Sequence, residues 1–209
     1  MKKILKFSLL ALAMLSAAAC TKDIQTGDEL INEKDGVVTV FLSRETEYGN
    51  DWIYWSFDKR AEVEVKEEEH ENDLSWDIAF NRYNIRTNSG LSGKGKGGAL
   101  DTEKINLSEV SAVPAGDFTT DEKGKITSRF TGSGVEEVES TYNMLLKNAI
   151  KFQGPPPTYT PNNHVYIVKT ADGKYAKVQF LSFYSKRGEA GYMSFRYVYQ
   201  PDGSTTFTK

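Results

Sequence analysis

The alternating pattern in the last third of this chain restricts its fold more than any other feature. His164-Val165-Tyr166-Ile167-Val168-Lys169 and Tyr175-Ala176-Lys177-Val178-Gln179-Phe180 flank Asp172-Gly173. Two strand-forming runs on either side of Asp-Gly specify a β-hairpin. Residues 192–199 form a further long strand, and Asp202-Gly203 offers a turn before residues 205–207. The same grammar runs upstream through residues 37–42, 52–57 and 61–66, then 76–80 and 83–86. Only residues 135–150 carry apolar side chains near helical spacing, at Val138, Tyr142, Leu145, Leu146 and Ala149. With eleven Tyr and eleven Phe, aromatic content points the same way. The expectation is an all-β domain of antiparallel, packed and twisted sheets with little helix.

The N-terminus follows a different grammar. Lys2, Lys3 and Lys6 precede an apolar run from residue 7 to 15, and Ser16 and three alanines lead into Cys20. A positive flank, a short apolar stretch and small residues mark a secretory signal, too short to span a bilayer. The cysteine directly after the small residues resembles the lipobox of bacterial lipoproteins, with Leu15 in place of the usual leucine nearer the cysteine. Cys20 is the only cysteine, so no intrachain disulfide is available, and a lone thiol suits lipidation better than life in an oxidising compartment. The domain reading is a signal peptide over residues 1–19, lipidated Cys20 and a polar tether to residue 35, and one β domain over 36–209. The membrane is met through the lipid anchor alone, at the outer membrane and cell surface. Formal charge is −3, which gives no field to attract nucleic acid.

Little in the chain suggests catalysis. His70 stands in the acidic run Glu67-Glu68-Glu69-His70-Glu71, which reads as a solvated turn without calcium-loop spacing. His164 opens a strand, and neither histidine has a nucleophile signature beside it. The stretch Ser89-Gly90-Leu91-Ser92-Gly93-Lys94-Gly95-Lys96-Gly97-Gly98 lacks the Gly-Lys-Ser/Thr order of a phosphate loop, so it reads as a flexible or tightly turned loop. Residues 152–159, with three consecutive prolines, read as a stiff extended connector. No enzyme is expected.

Residues 74–90, running into 92–99, resemble the HmuY family of haem-binding surface lipoproteins, as do Gly154 to Tyr159 and the hairpin around Asp172-Gly173. The similarity spans roughly residues 37–199. It implies an all-β fold on a lipid anchor that captures haem from host haemoproteins and passes it to an outer-membrane receptor for iron acquisition. It also implies iron held by paired histidines or methionines, one after the strand at 126–130 and one just before the Gly-Pro run. Here residues 131–140 contain neither, and Gln153 precedes Gly154. The nearest soft donors are Met144 and His164, which become the candidate axial ligands. The alternative is a surface module of the same fold that has lost the ligand pair and binds a peptide, a glycan or another small hydrophobic molecule.

Overall fold

The computed structural model describes residues 30–42, 49, 51–132 and 134–207; the signal segment and Cys20 lie outside them. Fourteen strands run through the described residues: β1 (Leu30–Lys34), β2 (Val37–Phe41), β3 (Ile53–Ser56), β4 (Ala61–Val63), β5 (Ile78–Asn81), β6 (Asn84–Thr87) and β7 (Gly98–Asp101), followed by β8 (Glu122–Thr131), β9 (Gly134–Tyr142), β10 (Ile150–Gln153), β11 (Thr158–Pro161), β12 (Val165–Lys169), β13 (Tyr175–Tyr184) and β14 (Ala190–Gln200). One antiparallel sheet has the order β1-β2-β14-β13-β12-β7 and a second the order β4-β3-β5-β6. The β8–β9 and β10–β11 pairs form two separate hairpins.

The two larger sheets pack face to face because their alternation agrees. Val38 and Val40 of β2, Val178 and Phe180 of β13, and Phe195 and Tyr197 of β14 point inward. They meet Trp55, Phe57, Ile78 and Phe80 from the other sheet. The rings interlock edge to face, with Trp55 and Phe195 at 5.6 Å and 90°. Fully burying one such side chain is worth roughly 1.5–3 kcal/mol.

Outer faces are also covered, which explains why β5 and β12 are apolar on both sides. Val165 and Ile167 are capped by Leu107, Val110 and Phe207. Tyr54, Trp76 and Ala79 are capped by Ile126 and Tyr142 of the β8–β9 hairpin.

The Asp172-Gly173 hairpin forms as the sequence predicts. Gly173 takes φ +96°, and the Thr170 N–H donates to the Lys174 carbonyl at 2.9 Å. Two expectations differ from what forms. Residues 30–34, read as the end of the tether, are β1, paired with β2 through a turn in which Asp35 and Gly36 both have positive φ. Residues 135–150 are not a helix: the first half belongs to β9, followed by a short 3₁₀ turn at Leu146–Ala149. Val138, Ser140 and Tyr142 recur every second residue toward the body, and pairing with β8 (Ile126 opposite Val138) overrides the weaker helical spacing.

Candidate functional site

The β8–β9 hairpin is fastened to the second sheet by Arg86 of β6, a fully buried guanidinium. Its Nε donates to the Thr141 carbonyl at 2.8 Å and its Nη2 to Ser140 Oγ at 3.0 Å. Nη1 reaches Tyr54 Oη at 2.9 Å and Glu67 at 3.0 Å, and the group lies 3.8 Å from the Trp52 ring. A second buried network joins the base of this hairpin to the turn leading into β10. Asp121 accepts from the Thr87 N–H (2.8 Å), Thr87 Oγ1 (2.6 Å) and Asn143 Nδ2 (3.0 Å). Burial pushes the Asp121 carboxyl up to about 6, against the pull of these donors.

Between the two hairpins lies a cleft of about 230 Å³. Its floor is the two-residue turn of the β5–β6 hairpin, where Arg82 takes φ +51° and presents Tyr83. Thr127, Val135 and Glu137 form the β8–β9 wall, and Phe152 and Tyr159 form the β10–β11 wall. Aromatic rings dominate the interior. Tyr83 and Phe152 are parallel within 4° at 6.1 Å, Phe152 meets Tyr159 at 5.3 Å, and Tyr159 meets Phe183 at 4.6 Å. The Arg82 guanidinium sits 5.6 Å from the Phe183 ring. Burial holds the Tyr83 phenol above its ordinary range, partly offset by the neighbouring Thr127 and by the charges of Lys147 and Arg82. Such a cleft presents flat apolar faces together with phenol, amide, carboxylate and guanidinium groups. A wider and more open concavity of about 460 Å³ lies beside Lys94, Lys123 and Glu139, where Lys123 pairs with Glu139 at 2.8 Å.

The sequence-predicted residues lie apart from this cleft. Met144 is 41 % exposed in the turn between β9 and the 3₁₀ segment, and its carbonyl accepts from Asn148. His164 precedes β12, and its Nδ1 lies 2.9 Å from Asp101 Oδ2. Neither lines the cleft. Gln153 is exposed at the end of β10. His70 is buried rather than solvated, with Nδ1 against the Glu67 carbonyl and its ring near Tyr54.

The glycine-rich loop is a tight wrap. Asn88 donates to the carbonyls of Asp73 and Trp76, and a Cβ at Gly93, Gly95 or Gly97 would fall within 2.7 Å of Asn88 atoms. Sequence reasoning placed Tyr83 in a strand and missed it as a site residue. The available signal was the polar tetrad Asn81-Arg82-Tyr83-Asn84 between two apolar runs, which marks a hairpin turn with an aromatic at its tip.

Residues 48–197 match the family model described as HmuY protein. A solved structure from Bacteroides vulgatus, named as HmuY-like and heme binding, is 28% identical, with a TM-score of 0.65 over 78% of this chain and 91% of that one. A structure from Bacteroides fragilis, named as a lipoprotein, is 26% identical with a TM-score of 0.63, covering 82% and 94%. The apo HmuY analog of Tannerella forsythia shares the fold at 22% identity and a TM-score of 0.63, covering 83% and 97%. No curated protein matches the chain. The interlocked sheets, the two hairpins and the match across most of its length place this chain in the HmuY family.

Proposed function

We propose that this chain is an exported lipoprotein, anchored through Cys20 at the outer-membrane surface, which binds haem or a related tetrapyrrole without catalysis. The aromatic cleft between the two hairpins carries this reading. Phe152, Tyr83 and Tyr159 offer the flat apolar contact that a porphyrin face requires. The family membership and the name of the Bacteroides vulgatus relative support it. An outer-membrane haem receptor and host haemoproteins would be the partners on either side of the transfer. At about 230 Å³ the cleft is below the ~300–1,000 Å³ usual for small-molecule sites, so binding must part the hairpins.

Titrating the purified full-length chain in detergent with haemin tests the proposal. A saturable Soret shift is expected, and a spectrum equal to that of free haemin would contradict it. A second reading draws on one observation, the absence of His and Met among the described residues that line the cleft. In that reading the same cleft takes a peptide, a glycan or another small hydrophobic ligand. Failure of both haemin and iron-free protoporphyrin to bind would favour it.

A further inference from the structure

We propose that Tyr83 is the residue through which this chain holds the iron of ferric haem, its phenolate oxygen entering the cleft from the β5–β6 turn. The inference rests on the haem reading above and deepens it. Among the described residues that line the cleft the groups able to donate to iron are oxygens, with no imidazole or thioether. His164 and Met144 both lie outside the lining.

Tyr83 meets the geometric requirements of a ligand. Its side chain is half-buried and lines the cleft together with Thr127, which acts on its hydroxyl. Phe152, Tyr159 and Phe183 surround its ring at 6.1, 5.7 and 6.1 Å between centroids. Tyr159, the other lining phenol, is a buried member of the main core, whereas Tyr83 packs against that core while staying half-buried, and the Glu137 carboxylate stands on an exposed stretch of β9.

The chemistry is a ligation without redox change. The Oη–H bond breaks, the proton passes to solvent, and the phenolate lone pair enters the Fe(III) coordination sphere. Arg82 and Lys147 favour the anion electrostatically, and a bound metal adds the charge that overcomes the burial cost. Tyrosine is an established class of haem ligand. A hard oxygen donor prefers ferric to ferrous iron, so this site would release haem on reduction.

The test compares absorption and resonance Raman spectra of the full-length chain loaded with haemin. The wild type is expected to show phenolate-to-iron charge transfer, lost on addition of dithionite. Tyr83→Phe should lose that signature and bind haemin at least about tenfold more weakly, while Tyr83→His should exchange it for an imidazole spectrum. Met144→Ala should leave the wild-type spectrum intact. If Tyr83→Phe folds poorly by circular dichroism, the Tyr83→His spectrum decides the matter. Haemin bound with the same spectrum in wild type and Tyr83→Phe would overturn Tyr83 ligation while leaving the haem reading standing, as would loss of the spectrum in Met144→Ala alone. No spectral change in the wild type would overturn the haem reading and this inference with it.

Discussion

Asn88 shows how a single side chain can dictate the composition of its neighbours. The loop that follows it coils so closely that Gly95 would place a Cβ 2.6 Å from the Asn88 carbonyl oxygen and 2.9 Å from the Ala171 Cα. Both obstacles are backbone and cannot swing aside. Gly95→Ala should therefore destabilise the domain by roughly 1–3 kcal/mol, the usual cost of overpacking, and the midpoint of urea unfolding would register it. Asp77 makes a separate residue-scale prediction. Its carboxylate accepts the Phe57 and Ala171 N–H groups at 2.9 and 3.0 Å, yet burial holds its pKa up to about 6 from an ordinary 3.8. A folded-state value above the unfolded one means that the folded chain binds the extra proton. The stabilisation is complete below about 3.8 and is lost as pH rises through about 6, on the order of 3 kcal/mol in all. Unfolding free energy should fall between pH 4 and pH 6, and Asp77→Asn should flatten that slope, leaving the part that belongs to Asp121. None of this was visible in the sequence, where both carboxylates are two among 29 acidic residues. Burial is a property of the folded packing, and so is the placement of Tyr83 at the floor of a cleft.

At the scale of elements, the hairpins differ in how they are held. The β8–β9 pair depends on Arg86, whose guanidinium reaches both Thr141 and Ser140 at its base. Arg86→Met should leave Glu67 without its buried partner, cost roughly 2–4 kcal/mol, and speed amide exchange across residues 122–142 more than in β12 or β13. The β10–β11 pair instead carries the 46 % exposed Phe152. Phe152→Ala should leave the melting temperature nearly unchanged while weakening haemin binding roughly threefold to tenfold, the worth of one aromatic contact. Strands with strong alternation or Asp-Gly turns were legible from the sequence, including β2, β3, β5, β6 and β12 to β14. The β1–β2 turn carried an Asp-Gly pair too, but the apolar residues of β1, Leu30 and Ile31, are adjacent and offer no alternation. β9 was obscured for a related reason. Its outer residues are mostly exposed and charged, so the alternation survives only in its last few positions, where it overlaps a cluster of leucines with helical spacing.

Across the whole molecule, the two packed sheets form the base, covered on their outer faces by Leu107, Val110 and Phe207 on one side and by Ile126 and Tyr142 on the other. The hairpins project from that base and enclose the aromatic cleft between them. The fold class and the family were therefore readable from the sequence, because patterning and the signature block over residues 74–99 are local. The site was not, because its walls come from three segments far apart in the chain and meet only after folding. The signature block serves architecture: Arg86, Thr87 and Asn88 brace the hairpin bases and the glycine loop. Hydrogen–deuterium exchange of the full-length chain with and without haemin most directly tests the claim that a tetrapyrrole enters between the hairpins. Haemin should slow exchange at the β5–β6 turn and in β8 to β11 while leaving β12 to β14 unaltered. Protection confined to the main sheet or to the Gly90–Lys94 side, or none at saturating haemin, would contradict it.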